Sequence, residues 1–147
     1  MDYEQRISKT DLARSTHQVI REAQRGYTIM VENHDQPEVV IVDIIDFQLQ
    51  RAAMHYFGFP KEFEQDIEIS EAILKSIPTD QDQFNLVISH YLAVHISIGR
   101  SAELLGMSPP ELQVRLMRSG VPLRMGPESQ EELDNEMKVI ERSLRRK

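Results

Sequence analysis

Residues 96–123 read ISIGRSAELLGMSPPELQVRLMRSGVPL, and their spacing decides the second half of the fold. Ala102 is small where two helices must cross. Gly106 falls four residues later, at a tight turn that wants a left-handed backbone. Met107 follows as the buried turn residue. Ser108-Pro109-Pro110-Glu111 then reads as a capping box with proline at the first helical position. Leu112 and Leu116 fall on one face and are expected in the core, and Gly120-Val121-Pro122 ends the unit. The stretch predicts two helices, 98–105 and 109–119, joined by a three-residue turn: a helix-turn-helix.

Working outward, the pattern of residues 81–94 predicts a helix apolar on most sides, through Phe84, Leu86, Val87, Ile88, Tyr91 and Leu92, and therefore well buried. Before it, 66–70 alternates like a short strand and 70–76 like a short helix. After it, 129–144 is striped by Leu133, Met137, Ile140 and Leu144, a core or oligomer seam or a peptide anchor for a partner's groove. Gly58-Phe59-Pro60 and the polar residues that follow mark a boundary. The expected organisation is a first module over 1–58, a linker over 59–65 and a second module over 66–147.

The first module opens with a short strand over 4–8. A helix with Thr10 as its N-cap then runs to Gly26, carrying Leu12, Thr16, Val19, Ile20 and Ala23 on one face. Residues 27–32 and the β-branched run 37–42 flank Asn33-His34-Asp35-Gln36, which predicts a hairpin. A second helix follows over 44–57. The fold class expected is α+β: a strand-helix-hairpin-helix module, then a mostly helical module.

Composition narrows the function classes. The 147 residues contain no cysteine, which excludes disulfides, thiolate nucleophiles, zinc fingers and iron–sulfur clusters. No apolar run approaches the ~18 residues of a membrane helix, so no membrane partner is expected. The start, MDYEQRISKTD, is polar, so no secretion signal is expected and a cytoplasmic location is. The formal net charge of −7 argues against a non-specific nucleic-acid coat, yet it is unevenly spread. Residues 1–60 carry −3, 61–95 carry −5, 96–126 carry +2 and 127–147 carry −1. The acidic block suits a basic protein partner, and the basic one allows a local phosphate-facing surface. His90 and His95 are five apart, which places them on different helix faces and not at ligand spacing; no metal or other cofactor is expected. No nucleophile elbow, phosphate loop or dinucleotide fingerprint occurs, so an enzyme is not expected. Asp43 and Asp46 flank a helix start, where the dipole favours negative charge.

Two resemblances give these modules a function. ISKTDLARST, VIREAQRG and YTIMVENHDQPEVVIVDIIDF resemble the Phd/YefM family of type II antitoxins over residues 7–47. Many members read something like L-A-R-N-T where this chain has Leu12-Ala13-Arg14-Ser15-Thr16. The family implies a dimer whose N-terminal segments sit on DNA, with the following segment binding a toxin. The segment from DIEISEAILKSI onward, ISIGRSAELLGMS and SGVPL above all, resembles uncharacterised protein family 0175, small antitoxins found beside PIN-domain ribonuclease toxins.

The resemblances imply an antitoxin that neutralises a toxin and represses its own operon, forming a homodimer or higher oligomer, with the toxin and operator DNA as partners. The candidate DNA contacts are Lys9 and Arg14 in the first module. In the second they are Arg100, Arg115 and Arg118 for phosphates and Gln113 for adenine. Leu133, Met137 and Ile140 are the candidate toxin anchors. Two rivals share the same sequence: a stand-alone DNA-binding regulator, and an adaptor that contacts only protein.

Overall fold

The computed structural model describes residues 3–58 and 68–123. The boundary 59–65 and the striped segment 129–144, with Leu133, Met137 and Ile140, lie outside the described residues. The chain is α+β. Its described elements are β1 (Glu4–Ser8), α1 (Lys9–Arg14), α2 (Thr16–Gln24), β2 (Thr28–Asn33), β3 (Gln36–Ile41), α3 (Ile44–Gly58), α4 (Glu71–Lys75), α5 (Asp80–Leu92), α6 (Ile98–Leu104) and α7 (Pro109–Arg118). No helix among the described residues is long and apolar enough to cross a membrane.

The three strands lie in the order β1-β2-β3. β1 runs parallel to β2, with Ile7 opposite Val31, and parallel strands need a crossover. The helical region supplies it, but as two helices where the pattern predicts one. The helix starts two residues earlier than expected, because the Ser8 hydroxyl, not Thr10, accepts the capping hydrogen bond from Asp11 N. It breaks at Ser15, whose backbone leaves the helical region. Val19 and Ala23 of α2 then cover Ile29, with Ile7, Leu12, Tyr27 and Ile41 packed around them. Gly26, at φ +105°, ends the crossover as expected.

β2 and β3 form the expected hairpin, with Met30 opposite Val40 and Ile29 opposite Ile41. His34 and Asp35 both take positive φ, which a two-residue turn of the hairpin hand requires. β3 is an edge strand, and Val39 and Val40 stand exposed on its opposite faces.

The main core lies among the helices. Leu49, Ala52 and Ala53 of α3 pack with Ile88 and Tyr91 of α5, Ala102 of α6, Leu112 and Leu116 of α7, and Val121. α3 follows the hairpin in sequence, yet its buried side chains belong to the helical body. Ala52, Ala53 and Ala102 let backbones approach closely. A smaller cluster of Ile69, Leu74, Val87 and Leu104 seats α4. Residues 68–70 are not a strand; Ser70 is the N-cap of α4, its hydroxyl accepting from Ile73 N.

Because α3 joins the hairpin to the helices, the two parts should lose structure together. Leu112→Ala should cost about 2–5 kcal/mol. Amide hydrogen exchange checks the coupling: protection in β2 should fall together with protection in α5.

Candidate functional site

The helix-turn-helix is built as its spacing requires. Ser97 caps α6 by accepting from Arg100 N, and Ser108 caps α7 by accepting from Glu111 N. Gly106 takes φ +72°, and Met107 N donates back to Ala102 O at 3.0 Å. Gly120, at φ +70°, ends α7 the same way, with Val121 N donating to Leu116 O. Leu112 and Leu116 are fully buried.

Arg115 and Arg118 do not face phosphate. Both turn inward onto the start of α3. Arg115 Nη1 lies 2.7 Å from Asp43 Oδ1 and 2.8 Å from Asp46 Oδ1. Arg118 Nη2 lies 3.1 Å from Asp46 Oδ2, and its Nη1 donates to the carbonyl of Arg25. The two arginine side chains keep only 12% and 13% of their surface exposed. Glu111 adds a third carboxylate to Arg115 at 3.2 Å. Burial pulls the Arg115 pKa down, but hydrogen bonds and charge from Asp46 and Asp43 outweigh it and hold the guanidinium above its ordinary value. Its stabilising charge is therefore fully present below that ordinary value and lost only as pH climbs beyond it.

Asp43 and Asp46 are thus more than dipole partners. Asp43 Oδ1 caps α3, accepting from Ile45 N at 2.9 Å and Asp46 N at 3.3 Å, while also holding Arg115. The spacing Asp43-x-x-Asp46 matches Arg115-x-x-Arg118 in one helical turn each, which was the only sequence signal for this network.

The outward face of α7 carries other side chains. Pro110, Gln113, Val114 and Met117 are exposed, Met117 at 61%. Gln113 is the single groove-facing candidate that stays outward on this helix. Arg100 is half-buried, paired with Glu103 at 3.1 Å and donating to Ile69 O at 3.3 Å. Of the four second-module candidates, three are committed to contacts within the chain.

The first-module candidates are more open. Arg14 is exposed at the end of α1 and makes no ion pair among the described residues. Lys9 is more than half exposed but pairs with Glu38 of β3. The Lys9 and Asn33 hydrogen bonds pull the Glu38 carboxyl below its usual range. On the sheet face, Arg6 pairs with Glu32 at 3.1 Å and Glu4 at 3.7 Å.

The histidine expectation is corrected. α5 ends at Leu92, and Val94 takes φ +67°, which turns the chain back. His95 Nδ1 therefore lies 3.3 Å from His90 Nδ1. Two imidazoles alone are not a metal site, and no cluster of three or more potential ligands occurs among the described residues.

An apolar band remains uncovered. Phe47, Met54 and Phe57 line the outer side of α3, with Arg51 over the Phe47 ring at 5.6 Å. Val39 and Val40 add to the exposed apolar surface from β3.

Removing one carboxylate tests the ion-pair network. Asp46→Ala strips the shared partner from both arginines and should cost on the order of 3 kcal/mol, read by urea denaturation. Gly26→Ala should destabilise through the same network. A Cβ there would meet Arg118 Nη1 at 2.1 Å, at a φ that disfavours any side chain. In a double-mutant cycle the two losses should be less than additive.

Compared with protein-family models, curated proteins and solved structures, the chain matches none.

Proposed function

We propose that this chain is the antitoxin of a prokaryotic type II toxin–antitoxin pair. It binds operator DNA through the first module, represses its own operon and neutralises a toxin. A PIN-domain ribonuclease is the toxin class that the second resemblance implies. The observation that carries the reading is the element order β1-α1-α2-β2-β3-α3, the strand-helix-hairpin-helix order on which the Phd/YefM resemblance was drawn. Arg14 of the L-A-R-S-T stretch stands exposed and unpaired among the described residues at the end of α1.

The uncovered apolar band supports a dimer. Phe47, Met54 and Phe57 on one side of α3 form more exposed apolar surface than single scattered residues explain. A twofold dimer would place two copies of Lys9 and Arg14 on a palindromic operator.

The second module reads better as a protein contact than as a DNA reader. Its described arginines are spent on Asp43, Asp46 and Glu103, and the outward face of α7 is largely apolar. A major-groove helix would instead present basic and amide side chains to the base edges. DNA binding is therefore assigned to Lys9 and Arg14, and toxin contact to the second module. Leu133, Met137 and Ile140 remain candidates for that contact.

Lys9→Ala with Arg14→Ala tests the DNA role. A dimer loses four phosphate contacts, so the log–log salt slope of operator binding should shrink by about 3.6, at ~0.9 per contact. Glu38→Gln should do the opposite to affinity, because it releases Lys9 from its carboxylate. Fluorescence anisotropy on the DNA upstream of the gene reads both. An unchanged slope would remove DNA binding from this module. Co-purification with the product of the neighbouring gene tests the toxin.

A further inference from the structure

We infer that a groove between α3, α5 and α6 receives a basic, apolar-anchored segment of a protein partner. The groove holds about 360 Å³ and opens to solvent. Its apolar walls are Ile45 at the start of α3, Phe84 of α5, and Leu104 and Leu105 at the end of α6. Ile44 stands on its lip and is 62% exposed. An isoleucine so placed is an unfilled contact for an incoming aliphatic side chain.

Three polar side chains line the groove, of which Gln83 donates to Ile77 O at 2.9 Å and the other two give the groove a preference. Gln48 lines it, and its side-chain amide makes no hydrogen bond among the described residues. That amide can donate to and accept from the backbone of a bound segment. Asp80 lines the opposite wall at the first turn of α5, and Asp82 follows it in the same turn. Neither carboxylate forms an ion pair among the described residues, in contrast to Asp43 and Asp46, which are neutralised by Arg115 and Arg118. The partial positive charge at the helix start offsets only about half a unit of this. Asp82 itself lies outside the lining and accepts from the Thr79 hydroxyl at 2.7 Å, so the groove joins an apolar floor to the one unneutralised carboxylate of Asp80. It is complementary to an amphipathic segment with leucine-like anchors flanked by lysine or arginine.

The groove deepens the antitoxin reading, on which only the partner's identity rests: in that reading the segment belongs to the toxin. Because Ile44 is exposed and begins a helix, Ile44→Ser should leave the fold intact. The same holds for Asp80→Lys at an exposed position.

The test uses the full chain with methyl-labelled isoleucine and leucine, titrated with a short synthetic helical peptide of leucines along one face and lysines elsewhere. The lysine peptide should move the methyl resonances of Ile44, Ile45, Leu104 and Leu105. The same peptide with glutamates for lysines should not. Asp80→Lys should weaken binding about fivefold, and Ile44→Ser roughly tenfold. Equal response to both peptides, shifts confined to another face, or variants that bind as well as the original chain would overturn the inference. So would cross-relaxation, in the peptide-free chain, between the methyls of Leu133 or Ile140 and those of Ile44 or Leu105, because the chain would then fill its own groove. The same variants with the neighbouring gene product separate the two ideas. No complex with the original chain counts against the antitoxin reading, while the peptide result alone decides the groove.

Discussion

The carboxylate of Asp46 sits between two guanidiniums that come from a helix 69 and 72 residues further along the chain. With Asp43 it anchors Arg115 and Arg118, and through them the last turns of α7 are fixed to the start of α3. Four charges here balance two against two, with Glu111 at the edge. Buried charge is tolerated only when it is met, and each of the four groups takes part in at least two hydrogen bonds, Arg118 Nε alone of the arginine nitrogens here being buried without a partner. Arg118 also reaches the carbonyl of Arg25, so the end of the crossover is held by the same group. Gly26 has no side chain where that guanidinium lies.

This arrangement sets what each part of the chain presents to solvent. A helix-turn-helix whose arginines point inward has lost the groups that would hold phosphate. What it offers to solvent is Val114 and Met117, an exposed glutamine and, at the neighbouring groove, leucines beside Asp80. These are apolar, amide and acidic groups rather than basic ones. The first module keeps its cations outward, at Arg14 and, held by Glu38, at Lys9. Outward cations and exposed apolar side chains thus lie on different parts of the chain, and α3 belongs physically to both parts. It leaves the hairpin through Asp43, fills the helical core with Leu49, Ala52 and Ala53, and presents Phe47, Met54 and Phe57 to the outside.

Sequence alone determined most of the elements, because they depend on local rules. Gly26, Gly106 and Gly120 each sit at positive φ where a helix must end, and Ser108 followed by proline starts α7. The β-branched run ending in Val39-Val40-Ile41 made the hairpin legible, and Leu112 and Leu116 announced the core face. Local rules failed where two competing caps lay close together. Ser8 outcompeted Thr10, and the break at Ser15 followed from how α2 must turn to cover the sheet. The tertiary structure alone decided which charges are free. Arg14 and Arg115 each sit in the last turn of a helix, and nothing within a few residues of either names the carboxylates, 72 and 69 residues away, that Arg115 meets. Only folding brings Asp43 and Asp46 to Arg115 and leaves Arg14 in water, because ion pairing depends on distances between elements that the local pattern does not encode.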